Sequence, residues 1–294
     1  MKVVGTRSEL RVELAESRRE ARSIGLVPTM GALHGGHRAL LAAARGRCEI
    51  VVMSLFVNPA QFGPGEDFAA YPRDREADLR VAAEAGVDLV YAPDPSEVYP
   101  PGFATSVEVR GGLTDVLDGD PSRRGDEHFT GVATVVAKLL NAVQPRVAFF
   151  GQKDAQQAVV IRRMVRDLDF PVEVVIVPTV REPDGLAMSS RNAYLDGEQR
   201  TRAAALRRAL AAVEAAVAGG TSSTAEALAA AGAELEAAGV EPEYLEARDA
   251  ESLRPAENFN GRPVLVAVAA RVGPARLIDN VVIGTAAGEE PAVG

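Results

Sequence analysis

The chain is poor in the residues that build disulfide-rich, cysteine–metal or membrane-spanning proteins. Its 294 residues include one cysteine, no tryptophan and only 5% aromatic residues. The single cysteine, Cys48, which we place in a buried strand, excludes a disulfide within the chain and a cysteine-based metal site. The longest apolar runs, such as residues 50–57, are too short to span a bilayer, and residues 1–16 are too charged for a signal peptide. These features predict a cytoplasmic protein with no membrane partner.

Positive charge is scarce as well. Lysine and arginine number 32 against 41 aspartate and glutamate residues, which gives a net charge of −9. Nonspecific binding of nucleic acid needs a basic surface, so this balance argues against a nucleic-acid partner. A local basic pocket for a phosphate stays compatible with it. Because Lys153 is one of only three lysines, its predicted place in a loop makes it a candidate for such a pocket.

What the chain does contain is an alternation of short apolar runs and amphipathic stretches. This alternation predicts a Rossmann-like α/β fold, in which helices cover a doubly wound parallel sheet. The predicted strands are residues 23–27, 49–56, 87–92, 147–150 and 172–177, with a further short strand at 105–109. The predicted helices are residues 8–21, 37–46, 72–85, 128–143 and 155–167.

The composition changes near residue 183, and we predict a domain boundary there. Residues 201–240 are rich in alanine and glutamate, with apolar residues at helical spacing. The expected domains are residues 1–182, with the parallel sheet, and residues 183–294, a smaller α+β domain with a loose tail from residue 286. Its predicted strands are residues 244–248, 264–271 and 277–283.

The segment from Pro28 to His37 has the composition of an anion site. It joins the first predicted strand to the second predicted helix and contains two of the three histidines, separated by Gly35 and Gly36. The free N–H groups and the positive dipole end of a helix start attract a phosphate. Histidines three residues apart share one side of the first helical turn, where they can donate hydrogen bonds to phosphate oxygens. The alternatives are a plain surface turn and a metal site, which the lack of acidic or cysteine ligands in the segment disfavours.

Polar residues also follow other predicted strands. They are Asn58 with Gln61, the run from Gly151 to Asp154, and the loop from Met188 to Asn192. Ligands of parallel α/β sheets bind beyond the carboxyl ends of the strands, so these loops are candidate walls of one site. Lys153 is suited to hold a phosphate as a point charge, although most loop lysines are simply solvated. The last loop offers two hydroxyls and a guanidinium, which suit a triphosphate clamp.

Together these residues resemble the pantoate–β-alanine ligase family, which belongs to the nucleotidyltransferases with an H-x-G-H element. That element alone would indicate only the wider group, which includes class I aminoacyl-tRNA synthetases. The combination is more specific and covers nearly the whole chain. The matching segments are residues 28–34, 36–37, 56–59, 61–62, 71–73, 128–129, 131–132, 150–151, 153–154, 156–157 and 184–192.

The resemblance implies an ATP-dependent ligase that joins (R)-pantoate to β-alanine. In such an enzyme the pantoate carboxylate attacks the α-phosphorus of ATP and releases pyrophosphate. The β-alanine amine then attacks the pantoyl adenylate, which gives pantothenate and AMP. The resemblance further implies Mg²⁺ on the phosphates, small molecules as the substrates and a homodimer.

It also implies roles for single residues, with His34, His37 and Lys153 as the catalytic ones. The family assigns His37 as a proton donor. We interpret both histidines as charge stabilisers, because attack of a carboxylate on phosphorus needs no proton transfer. The implied pantoate ligands are Gln61, Gln157 and Asn58, and Gln61 also borders the β-alanine site. The implied ATP-binding residues are Pro28, Thr29, Met30, Gly31, Ala32, Leu33, His34, Gly35, Gly36, His37, Gly151, Gln152, Lys153, Asp154, Val180, Met188, Ser189, Ser190 and Arg191.

The chain departs from the family pattern in three places, of which two are single residues and one is a short segment. Gly35 and Gln152 stand where the family usually has glutamate, and residues 123–128 replace a short Arg-Pro-x-His run. None of these changes removes an implied catalytic residue, so we expect an active enzyme. Residues 118–127 are the candidate lid that keeps water from the adenylate. The alternatives are another small-acid adenylating enzyme on the same scaffold, a synthetase-like domain acting on RNA, and an inactive ATP-binding regulator.

Overall fold

A computed structural model describes residues 1–63, 68–69 and 71–284 of the chain. The chain divides into two compact units. The first comprises Met1–Gln152 and Val160–Val180, and the second comprises Lys153–Val159 and Arg181–Gly294. The predicted loose tail lies outside the described residues. The domain boundary predicted near residue 183 stays a prediction.

Six parallel strands form the sheet of the first unit. The strands are β1 (Lys2–Val4), β2 (Ile24–Thr29), β3 (Ile50–Leu55), β4 (Leu89–Tyr91), β5 (Val147–Gly151) and β6 (Glu173–Val177). Their order is β1-β4-β3-β2-β5-β6. The central strands β2 and β3 are almost entirely buried, as expected when helices cover both faces of a parallel sheet. The predicted Rossmann-like α/β fold is confirmed.

Two parts of the strand prediction differ from the structure. The strand predicted at residues 105–109 is wrong, because this segment joins neither of the two described sheets. The N–H of Val107 bonds instead to the hydroxyl of Thr134 on a neighbouring helix. The edge strand β1 is missing from the prediction, since three residues with one buried side chain leave no periodic pattern.

The described residues up to Asp167 contain six α-helices, the last of which begins in the second unit. They are α1 (Arg7–Arg19), α2 (Gly35–Arg47), α3 (Arg75–Glu84), α4 (Pro95–Val98), α5 (Asp126–Val143) and α6 (Ala155–Asp167). The start predicted for α3 at residue 72 is wrong, because the Asp74 carboxylate caps the helix by accepting from Ala77 N–H at 2.9 Å. Cys48 is buried, but it ends α2 and lies outside β3. Among the described residues, no helix is both long and apolar enough to cross a membrane.

The second unit is built around an antiparallel sheet, which confirms the predicted α+β part of the chain. Its helices and strands are α7 (Gly197–Ala203), α8 (Ala205–Ala218), α9 (Thr224–Ala237), β7 (Pro242–Asp249), β8 (Val264–Val272) and β9 (Ala275–Ile283). The strand order is β7-β8-β9. Apolar residues of α8, α9 and β8 form a core that belongs to this unit alone.

Helix α5 makes a close backbone contact with the short 3-10 turn Pro59–Gln61, which follows β3. A Cβ atom at Gly131 would lie 2.1 Å from the carbonyl oxygen of Ala60 and 2.7 Å from the N atom of Gln61. Atoms of two backbones cannot yield at such distances, so only glycine allows this approach. The contact fixes the position of the turn that carries Gln61.

We expect Gly131→Ala to lower the free energy of unfolding by more than about 2 kcal/mol, because the added methyl group forces the two backbones apart. Denaturant unfolding measures this change. Gly232→Ala in α9 is the matched control, since no atom of the described residues lies within 4 Å of its Cβ position. The control should gain about 0.5–1 kcal/mol from helix propensity. Equal effects of the two substitutions would contradict the proposed contact.

Candidate active site

The histidine turn links the end of β2 to the start of α2. His34 is the N-cap residue of α2, and its Nδ1 accepts a hydrogen bond from the N–H of Gly36 at 3.1 Å. His37, in the first turn, accepts at Nδ1 from the N–H of His34 at 3.2 Å. The two rings lie 4.2 Å apart between centroids. The histidines thus cap the helix reciprocally, as serine and glutamate do in a capping box.

This capping decides which ring nitrogen carries the proton. Both Nδ1 atoms are acceptors, so each neutral ring holds its hydrogen on Nε2 and donates from that edge. Each cap therefore requires the lone pair of Nδ1. Two Nε2–H donors at a helix start are suited to oxygens of a phosphate. Among the described residues, no group of three or more His, Cys, Asp or Glu side chains is placed to hold a metal ion.

Two glycines of the histidine turn are required for different physical reasons. A Cβ on Gly36 would lie 2.9 Å from Cε1 of His34, so a side chain there would displace the capping ring. Gly31 adopts a φ of +93°, which a residue with a side chain rarely adopts. Gly35 is the first residue of α2. Its effect is that the first turn of α2 carries no acidic residue to repel an anion.

Asp78 of α3 holds the turn ahead of His34, and nothing in the sequence pattern points to it. Its carboxylate accepts from the N–H of Ala32 at 3.1 Å and from the N–H of Leu33 at 2.8 Å. The residue is 3% exposed, although it lies on a helix with mostly exposed neighbours. Two charge-assisted bonds to consecutive backbone N–H groups fix the turn rigidly.

The turn after β3 places Gln61 beside the histidine turn. Gln61 is 8% exposed, and its Nε2 lies 3.3 Å from Sδ of Met30. Asn58 donates from Nδ2 to Oε1 of Gln61 at 3.1 Å. His128, the third histidine, contacts the carbonyl oxygen of Gln61 through Nδ1 at 2.7 Å. The structure therefore brings Met30, Asn58 and Gln61 together. It also places buried His128 against Gln61, a contact that the sequence did not predict.

A cavity of about 520 Å³ lies next to this turn in the first unit. Its lining includes Ala60, Tyr99 and Gly131, together with Phe103, Glu127 and Thr134. None of the residues that the sequence predicts for ATP or pantoate lines this cavity. Tyr99 reaches from it to the buried amide of Asn58, with its hydroxyl 2.7 Å from Oδ1.

The backbone of Lys153 is hydrogen-bonded to the antiparallel sheet of the second unit. Asn280 on β9 donates from Nδ2 to the carbonyl oxygen of Lys153 at 2.9 Å. The Lys153 side chain is 21% exposed, and its Nζ lies 3.7 Å from the Asp154 carboxylate. Gln157 is half-buried in the first turn of α6, where its neighbour Gln156 is buried. A fixed backbone and a partly buried ammonium suit a binding lysine better than a solvated surface residue.

The loop with Met188, Ser189, Ser190 and Arg191 is supported by ion pairs. Ser189 Oγ accepts from the N–H of Arg191 at 3.3 Å and caps the 3-10 turn Ser190–Tyr194. The loop starts from Arg181, which binds the buried carboxylate of Asp279 through two hydrogen bonds of 2.6 and 3.0 Å. Asn192 closes it by donating to Glu182, whose pKa is lowered by the guanidinium of Arg200 and by Asn192.

The ends of β5 and β6 carry three further predicted ATP-binding residues, Gly151, Gln152 and Val180. Gly151 is the last residue of β5, Gln152 follows it directly, and Val180 lies shortly after β6. β2 and β5 are neighbours in the sheet. The chain continues from β2 to β3 on one side of this pair and from β5 to β6 on the other side. Such a switch point is where open parallel sheets bind ligands. The candidate lid, residues 118–127, is partly tied down, because Asp118 is buried and Arg123 donates to the carbonyl of Leu117 at 2.8 Å.

The chain is similar to known ligases over nearly its whole length. A family profile described as pantoate-beta-alanine ligase matches residues 2–282. The chain belongs to this ligase family. A pantothenate synthetase of Moorella thermoacetica is 53% identical over 284 residues, which cover 96% of this chain and 99% of the relative.

Solved structures of pantoate–β-alanine ligases share the fold. The crystal structure of pantothenate synthetase from Thermus thermophilus matches with a TM-score of 0.89 and 52% identity, covering 96% of this chain and 99% of that one. The ligase of Francisella tularensis was solved as a complex with "Beta-gamma ATP and Beta-alanine". It matches with a TM-score of 0.77 and 30% identity, covering 97% of this chain and 99% of that one.

We expect Asp78→Ala to cost about 2 kcal/mol of unfolding free energy, because two N–H groups of the histidine turn lose their acceptors. Glu76→Ala on the same helix is the control, since the Glu76 side chain is 91% exposed and lies 4.0 Å from Arg80. That control should change stability by less than about 0.5 kcal/mol. Thermal or denaturant unfolding of both variants measures the difference, and a loss no larger than the control's would show that the turn stands without Asp78.

Proposed function

We propose that this chain catalyses the ATP-dependent condensation of (R)-pantoate with β-alanine to pantothenate, AMP and pyrophosphate. The observation that supports this most is the pair of reciprocally capped histidines, which direct Nε2–H donors from the helix start after β2. Membership of the ligase family supplies the substrates. The alternative function is adenylation of a different small acid. Pyrophosphate release that depends on pantoate distinguishes the two.

In the proposed first step, a carboxylate oxygen of pantoate forms a bond to the α-phosphorus of ATP, and the bond to the pyrophosphate oxygen breaks. Negative charge grows on the phosphate oxygens, where the histidine donors and the helix dipole would stabilise it. His34 and His37 need not transfer a proton for this. Lys153 and the loop from Met188 to Arg191 would contribute positive charge and hydroxyl donors to the remaining phosphates.

In the second step, the β-alanine nitrogen attacks the carbonyl carbon of pantoyl adenylate, and AMP leaves with the electron pair of the broken C–O bond. Gln61 and Gln157 would hold the pantoate oxygens, and Gln61 would border the amine site. A complex of the Francisella tularensis relative contains β-alanine, which supports an amine site in the family. The adenylate reacts with water, so the proposal requires that water is excluded at this stage.

We propose that Mg²⁺ enters with ATP as part of the substrate, because phosphate oxygens and water are its preferred ligands. A homodimer is part of the proposal on the strength of the family resemblance. The cytoplasm is its proposed location, since a chain with one cysteine needs no oxidising environment.

The assay is pyrophosphate release from Mg·ATP with pantoate, with and without β-alanine. For His37→Ala we expect kcat to fall about 100-fold, with the KM for ATP changing less than about threefold, because the donor acts on charge that develops in the transition state. Arg38→Ala is the control, since Arg38 is exposed and pairs with Glu84 at 2.7 Å. Absence of pantoate-dependent pyrophosphate from the unaltered enzyme would refute the proposed function. Equal losses in kcat and ATP affinity would make His37 a structural residue only.

The lid is tested separately. Deleting residues 121–124 removes the tip of the candidate lid while leaving the buried Leu117 and Asp118 in place. We expect the enzyme to release several times more AMP per pantothenate formed, because water reaches the adenylate. Product ratios from chromatography measure this, and a ratio equal to that of the unaltered enzyme would speak against the lid.

A further inference from the structure

The amide of Asn58 is buried and fully used within the protein. The residue is 1% exposed. Its Nδ2 donates to the carbonyl of Gly131 and to Oε1 of Gln61, both at 3.1 Å. Its Oδ1 accepts from the N–H of Ala60 at 3.3 Å and from the hydroxyl of Tyr99 at 2.7 Å. An amide has two donor and two acceptor positions, so none is left for a substrate.

The backbone partners settle the polarity of this network. The carbonyl of Gly131 can only accept, and the N–H of Ala60 can only donate, so they decide which end of the Asn58 amide is nitrogen. Because Nδ2 then faces Gln61, the glutamine must turn its oxygen inwards. Its Nε2 is left on the other side, towards Met30 at 3.3 Å.

We propose that Asn58 and Tyr99 are positioning residues that hold Gln61 as a hydrogen-bond donor towards its hydroxy-acid substrate. This inference rests on the proposed function, in which Gln61 binds pantoate. Carboxylate oxygens only accept hydrogen bonds, so the donor edge of Gln61 attracts them, whereas a flipped amide would present a repelling oxygen. Asn58, implied by the resemblance as a pantoate ligand, thus acts on pantoate through Gln61.

Tyr99 contributes the outermost donor of the network. It lies 41 residues along the chain from Asn58, and no sequence pattern connects the two. Burial raises the pKa of the Tyr99 phenol to about 12, partly offset by its bond to Asn58. The hydroxyl therefore stays protonated and donates throughout the physiological range.

The test measures the KM for pantoate and for ATP by pyrophosphate release. Tyr99→Phe keeps the ring and removes only the donor, so we expect the KM for pantoate to rise about fivefold while the KM for ATP and kcat stay within about twofold. Asn58→Asp replaces the donor that faces Gln61 by an acceptor, and the KM for pantoate should rise at least about tenfold. Tyr91→Phe is the matched control, because Tyr91 is a buried tyrosine on β4 outside the network.

A rise in both KM values together, or a change no larger than that of Tyr91→Phe, would overturn the inference. A double variant distinguishes positioning from general packing. In a Gln61→Ala background, Tyr99→Phe should raise the KM for pantoate less than about twofold, since the group through which it acts is gone. A full fivefold rise in that background would show that Tyr99 acts independently of Gln61.

Failure of the proposed function would show in the unaltered enzyme, as the absence of pantoate-dependent pyrophosphate. The network is then tested without turnover, by NMR of the ¹⁵N-labelled side-chain amide of Gln61. We expect its resonances to shift in Tyr99→Phe and to stay in place in Tyr91→Phe. An unshifted Gln61 amide in both variants would overturn the positioning role whatever reaction the enzyme performs.

Discussion

The candidate site depends on the reciprocal caps between His34 and His37 at the start of α2. Two N–H groups that a helix start leaves unpaired are bound by imidazole nitrogens, so backbone hydrogen bonds orient both rings. The central position of β2 and the carboxylate of Asp78 hold the chain that leads into the caps. The same bonds that stabilise the helix start therefore fix the donor edges of both rings.

The Gln61 network follows the same physical logic. Imidazole and amide groups are ambivalent, because each can present a donor or an acceptor to a ligand. In both places a backbone N–H or C=O, which cannot change its role, settles that choice. The close approach of Gly131 to Ala60 makes this possible at Asn58, since a larger residue would push the carbonyl away. In the proposed function, substrate recognition therefore depends on backbone groups whose donor or acceptor role is fixed.

Although the chain is acidic, negative charge is absent or compensated at the separate segments that are proposed to bind ATP. The first turn of α2, which begins at Gly35, lacks an acidic residue. In the second unit, Asp279 is paired with Arg181, and Glu182 and Asp184 are paired with Arg200. Paired carboxylates of this kind repel phosphates less than isolated ones. The net charge of −9 is a property of the whole chain and does not describe the local charge at these segments.

The sequence by itself determined the α/β fold, the histidine turn and the polar loops at the strand ends, because helix and strand periods and glycine–histidine spacing are local properties of the chain. Only the tertiary structure decided the rest. Asp78 reaches the turn across 46 residues and His128 reaches Gln61 across 67, distances over which a single sequence carries no pattern. The short strand β1 exists only because β4 pairs with it. The polarity of Gln61 likewise depends on packing, since nothing local tells an amide which way to turn.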